Sequence, residues 1–247
     1  MSDMLTSFLL VAIPTVIAIT LHEAAHGYAA LWMGDDTARQ AGRLSLNPLR
    51  HIDRFGTILL PGFLLLSQLL TIGHVAFMFG WAKPVPVAAW RFRDPRRGMM
   101  VVAAAGPGMN FLLAWIGAVA LHLAPLMSSM QGAQALLLTF LFYFMLANIV
   151  LGIFNLLPIP PLDGGRIAVG LLPEAAARVW ARTERAGLLI VLLAVFLLPT
   201  VLRQFGIAYD PVRSLLGSVT EPVFRVLLTL AGRPAAGMAL LGDGQYI

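Results

Sequence analysis

From residue 98 to residue 162 the chain runs for 65 residues without an Asp, Glu, Lys or Arg. A helix needs about 20 apolar residues to cross a bilayer. The run is therefore too long for one span, and it divides into two at residues 124–132, APLMSSMQG, where Pro, Ser and Gly supply a turn. Residues 4–22 and 55–82 are two more uncharged stretches, and 186–202 is a shorter one. Composition agrees, with 59% hydrophobic and 12% charged residues against roughly 45–50% and 25% in soluble domains. The expected fold is an all-α polytopic membrane protein of about four to six transmembrane helices, with a re-entrant or short β segment around residues 56–90.

The chain reads as one membrane domain, 1–247. Its core is 4–172, followed by an additional membrane helix at 186–202 and an interfacial or peripheral C-terminal segment at 211–247. In that segment 211–233 is amphipathic, with Arg213, Glu221 and Arg225 among Leu, Val and Phe. No Lys or Arg precedes the apolar stretch 8–20, so it is expected to be retained as a helix and not cleaved as a signal. The net charge of +5 comes from Arg clusters beside the membrane segments, which act as orientation signals and give no indication of nucleic-acid binding. With no cysteine, disulfides and thiolate metal sites are excluded. Arg39, Arg43, Arg50 and Arg54 precede 56–80, while Lys83, Arg91, Arg93, Arg96 and Arg97 follow it. The bias that keeps basic loops in the cytoplasm places both clusters on one side. The stretch between them then has to dip in and return, which Pro61, Gly62 and Gly73 make possible.

Late in the first apolar stretch stands LHEAAHGYAAL, residues 21–31. On a helix His22 and His26 lie four apart on one face and can present two imidazole nitrogens to one metal ion, with Glu23 in reach of a water at that metal. This is the pattern of metal-assisted hydrolysis. Ionisable groups inside a membrane segment are costly and mark function by default. A catalytic zinc needs a third protein ligand, and the candidates are His51, His74, His122, Asp53, Asp94, Asp163 and Glu174. Asp163 stands out as the first charged residue after the 65-residue run, in FNLLPIPPLDGGR at 154–166. Pro158, Pro160 and Pro161 break the helix there, and irregular backbone at membrane depth belongs inside protein or beside water. Two other classes use similar residues: a metal or proton transporter, and a non-catalytic membrane binder of helices. A transporter gives no reason for Glu23 between two ligands, and no matching pair of interrupted half-chains is visible.

HEAAHGY, LNPLRHID at 46–53, FGWAKPVPV at 79–87, AAGPGMN at 104–110 and FNLLPIPPLDGGR occur in this order. Together they resemble the site-2 protease family of intramembrane zinc metalloproteases, in its small prokaryotic branch without a PDZ or nucleotide-binding domain. The resemblance covers about residues 15–170. It implies one zinc ion held by His22, His26 and Asp163, and Glu23 as general base. The implied substrate is the transmembrane helix of another protein, met in the lipid bilayer of a prokaryotic inner (plasma) membrane, with no regulator identified. Asn110 and Asn155 match polar positions of the family core, suited to holding a substrate backbone or an oxyanion; for Asn110 a helix-to-helix hydrogen bond is the equal alternative. Lys83, Pro84, Val85, Pro86 and Val87 form a stretch kept out of helix by its prolines and suited to pairing with an extended substrate, or else a simple loop.

Overall fold

The computed structural model describes residues 2–71, 73 and 80–233. Within them no strand is formed, so no β segment stands in the described part of 56–90, and Pro61 and Gly62, expected to ease a turn there, lie inside a continuous helix. Helix α1, Ser2–Trp32, holds HEAAH in its second half. A loop with the short α2, Thr37–Gln40, leads to Asp53, whose carboxylate accepts from Phe55 N and Gly56 N and starts a π turn, Arg54–Leu59, that runs into α3, Leu60–Thr71.

The span Arg54–Thr71 is long and apolar enough to cross a membrane, yet its two flanks meet. Trp81 N donates to Gly56 O at 3.1 Å and the Thr57 hydroxyl donates to Trp81 O at 2.8 Å. Arg91 is ion-paired with Asp36. The segments that carry the two basic clusters thus touch one another.

Helix α4, Pro95–Ala120, begins at Asp94, which accepts from Arg96 N and Arg97 N; an Asp cap followed by Pro at the first position is a strong start signal. A 3-10 turn, Leu121–Met127, leads into α5, Gln131–Asn155. Central α4 packs on both α1 and α5, burying Ala103, Gly106, Ala114, Gly117 and Ala118, small residues that let helix backbones approach. After the proline-broken stretch, α6, Asp163–Leu171, folds back on α4. Next come α7, Glu174–Arg182, and α8, Glu184–Leu192, which continues through a π turn, Leu193–Leu197, into α9, Leu198–Gln204. Residues Ala186–Gln204 make a further apolar span. Finally α10, Pro211–Leu230, lays Phe224, Leu227 and Leu228 against Leu141, Met145 and Ile149 of α5 and Ala114, Ala118 and Leu121. The C-terminal amphipathic segment therefore packs on the bundle through its apolar face; residues 234–247 lie outside the described residues.

Candidate metal centre

Three polar atoms from two distant parts of the chain converge beside α4. His22 Nε2 and His26 Nε2 are 3.1 Å apart, and Asp163 Oδ2 lies 3.1 and 3.3 Å from them. The two histidines share a face because they are one helical turn apart. Asp163 arrives because α6 starts tightly against the broken segment: a Cβ on Gly164 would overlap Leu156 O and Leu157 O, and one on Gly165 would overlap Pro160 N. The DGG triplet is thus a packing requirement as well as a turn signal.

One stripe of α4 builds the wall behind the imidazoles at four-residue intervals. Val102 offers its carbonyl, Gly106 its bare Cα and Asn110 its side chain. A Cβ at Gly106 would stand 2.5 Å from His26 Cε1 and Nε2 and 2.6 Å from His22 Cε1.

The hydrogen bonds decide where the ring protons sit, because a carbonyl oxygen only accepts. Asn148 Nδ2 donates to Phe144 O at 2.8 Å, leaving Asn148 Oδ1 to accept from Asn110 Nδ2 at 3.0 Å. Asn110 Nδ2 also donates to Ala18 O at 3.3 Å. Asn110 Oδ1 then faces His22 Nδ1 at 2.6 Å, so that nitrogen carries the hydrogen. Val102 O likewise accepts from His26 Nδ1 at 2.8 Å. Both Nε2 atoms are left with lone pairs turned towards the Asp163 carboxylate, whose buried Oδ2 has no hydrogen-bond partner.

Three lone-pair atoms at these distances repel one another unless a proton or a metal cation lies among them. Bonds of about 2.0–2.2 Å in a tetrahedral site place donor atoms about 3.4 Å apart, close to the observed spacing, and imidazole with carboxylate is a donor set that suits zinc. The Nδ1 partners supply the orientation that metal-binding histidines require. Glu23 is half-buried and adjacent, and the ligand atoms of His22, Glu23 and His26 all lie within 4.8 Å of one another. Its Oε2 accepts from Val85 N at 3.1 Å.

The other acids and histidines considered as third ligand are engaged elsewhere. His51 is buried with Nε2 on Ser45 O, His122 Nε2 is on Ala231 O, Asp53 and Asp94 cap helices, and Glu174 pairs with Arg178. His74 lies outside the described residues. Asn155, the last residue of α5, is half-buried and donates to Leu151 O at 3.0 Å. In the 83–87 stretch Lys83 and Pro84 are exposed, Pro86 and Val87 half-buried, and Val85 buried. A cavity of about 510 Å³ opens between α1 and the hairpin, lined by Val16, Ile19, Thr20, His51 and Trp81 among others.

Gly106, Asn148 and Asp35 carry no motif of their own in the sequence, and Arg43 stands there only as one of a basic cluster. Asn148 had a usable signal, being an amide within a strongly apolar helix; Gly106 had the weaker one of its place in AAGPGMN.

Residues 9–199 match the model of Peptidase family M50. The chain is 41% identical over 189 residues to "Putative zinc metalloprotease YwhC" of Bacillus subtilis (strain 168), covering 76% of this chain and 80% of that protein. It is 32% identical over 206 residues to "Putative zinc metalloprotease Rip2" of Mycobacterium tuberculosis (strain ATCC 25618 / H37Rv), covering 82% and 72%. No solved structure matches the chain.

Proposed function

The chain belongs to peptidase family M50 and is an intramembrane zinc metalloprotease, and from that premise we propose that His22, His26 and Asp163 hold the zinc and that Glu23 is the general base. The observation that carries this reading is the convergence of two bare Nε2 atoms and the orphaned Asp163 Oδ2 within 3.3 Å. When bound, zinc polarises the scissile carbonyl and lowers the pKa of water. Glu23 takes the proton of the attacking water and passes it to the leaving amide nitrogen. Asn110 acts through His22, holding its ring by the 2.6 Å hydrogen bond. Asn155, at the edge of the broken segment, is the candidate to bind a substrate carbonyl or the oxyanion.

The substrate is a membrane protein, and we take the cleaved element to be a transmembrane helix that unwinds locally, since a helix hides its carbonyls in backbone bonds. Lys83, Pro84, Val85, Pro86 and Val87 provide the extended edge against which it lies. Pro84 and Pro86 carry no N–H, so at these positions the stretch offers carbonyl acceptors to substrate amides. The 510 Å³ cavity beside it takes apolar side chains. One zinc per chain accords with a single cluster of potential donor side chains, His22, Glu23 and His26, among the described residues. Residues 1–247 act as one unit with the core at 4–172, set in the inner (plasma) membrane of a prokaryotic cell, as bacterial relatives and basic clusters on one face suggest.

The test is incubation of the purified protein with a panel of single-span helices, with and without a zinc chelator. Glu23→Gln is expected to abolish cleavage and keep its zinc; Asp163→Ala is expected to lose both. Wild-type cleavage by Glu23→Gln overturns the role of the base, and full zinc occupancy in Asp163→Ala overturns the third ligand.

A further inference from the structure

Two charged side chains in the loop after α1 are buried away from the metal centre: Asp35 is 0% and Arg43 8% exposed. A buried charge is costly unless its partners compensate it. Arg43 Nη2 donates to Lys83 O at 2.6 Å, and Nη1 donates to Arg50 O. Asp35 Oδ2 accepts from Ala88 N at 2.6 Å, while Oδ1 accepts from Thr37 N at 3.0 Å and from the Thr37 hydroxyl. Lys83 N donates to His51 O at 2.9 Å. The stretch 83–88 is therefore held at both ends, by a residue that only donates at a carbonyl and by one that only accepts at an amide.

Between these fixed points lies Val85. Its N–H donates to Glu23 Oε2 at 3.1 Å, and its side chain is buried against Gly27, where an added Cβ would stand 3.2 Å from Val85 Cγ1. The prolines on either side keep the stretch out of helix. Buried backbone groups outside helices need partners from elsewhere in the protein, and bonds to charged groups are roughly twice as strong as neutral ones.

We propose that Asp35 and Arg43 are positioning residues for the hydrolysis: they clamp residues 83–88 so that Val85 N–H holds one oxygen of the Glu23 carboxylate and leaves the other for the attacking water. This rests on Glu23 being the general base. A free carboxylate rotates about its last bond; one held by a fixed amide donor does not, and small losses of such alignment are expensive, about 100-fold for about 1 Å.

The experiment measures kcat, KM and zinc per chain for the full-length protein on a cleaved single-span helix. Asp35→Ala and Arg43→Ala are expected to lower kcat about 10- to 100-fold, with KM within about twofold and zinc intact. Asp35→Asn and Arg43→Lys, which keep an acceptor for Ala88 N–H and a donor for Lys83 O, are expected to recover most of the loss. They also carry the test should the alanine variants not fold. In a Glu23→Asp background, whose shorter side chain does not reach Val85 N–H, adding Asp35→Asn or Asp35→Ala is expected to change kcat by less than about twofold, as groups acting through one another are not additive. Wild-type kcat in the alanine variants overturns the clamp, as does loss of zinc together with kcat, no recovery in the conservative variants, or a full multiplicative loss on Glu23→Asp. A fully active Glu23→Gln would instead overturn the assignment of the base.

Discussion

Gly106 is where a single methyl group meets the metal centre. Its Cβ would stand 2.5 Å from the His26 ring, and that ring is tied by Nδ1 to Val102 O, so it moves only by breaking the bond that orients it. Gly106→Ala is expected to weaken zinc binding at least about tenfold, the usual scale for disturbed outer-shell contacts, read by competition with a chelator. Asn110 works on the other ring through its 2.6 Å contact with His22 Nδ1. Asn110→Ala removes that acceptor and leaves Asn148 Oδ1 without its donor. Zinc affinity is expected to fall about 10- to 100-fold; an unchanged affinity would contradict the role assigned to Asn110.

Among the elements, α6 depends on a residue of another helix. Arg96, in the first turn of α4, donates from Nε to Val169 O at 2.7 Å and from Nη2 to Gly170 O at 3.1 Å and to Leu172 O. A cation on the last carbonyls of a helix satisfies acceptors that have no helical partner and opposes the helix dipole. Arg96→Ala is expected to cost about 1–3 kcal/mol and, because α6 carries Asp163 at its other end, to release zinc at lower chelator concentration. Thermal unfolding and zinc release measured together check this. The loop 33–53 has its own dependence on pH. Burial opposes ionisation of Asp35, but hydrogen bonds from Thr37 and Ala88, with Arg91 nearby, hold its carboxyl below the ordinary value. A proton thus binds the unfolded chain more readily than the folded one, so these contacts stabilise fully above the unfolded value of about 4 and lose strength as the pH falls further. Protease cleavage within 33–53 is expected to increase below about pH 4 in the wild type, and Asp35→Asn is expected to lack the step attributable to this group.

For the molecule as a whole the hairpin governs topology. An 18-residue apolar stretch, Arg54–Thr71, satisfies the length of a membrane span, but Gly56 is hydrogen-bonded to Trp81 and Asp36 pairs with Arg91. Contacting residues share a side. Single cysteines at Gln40 and Arg93, both exposed, are expected to react with a membrane-impermeant reagent from the same side, and one at Met130, 63% exposed in the α4–α5 turn, from the other. Labelling of Gln40→Cys and Arg93→Cys from opposite sides would show that the stretch crosses.

What could be read from residues alone was local or compositional. The 65-residue uncharged run requires helices, because a bilayer offers backbone groups no other partner. His22, Glu23 and His26 share a region of one helix because spacing on a helix is a matter of sequence distance. FNLLPIPPLDGGR announced a break and a carboxylate, and the basic clusters announced a return. Which carboxylate meets the histidines, and how, is not a local property. Asp163 already stood apart from Asp53, Asp94 and Glu174 by its place after the uncharged run, but it is the folding of α6 onto α4 that carries it to the histidines. The Asn110–Asn148 pair, the bare Cα of Gly106 and the clamp of Asp35 and Arg43 on residues 83–88 join segments tens of residues apart. Apolar helix faces resemble one another in sequence, and it is their packing at close range that decides which polar groups are left to find each other.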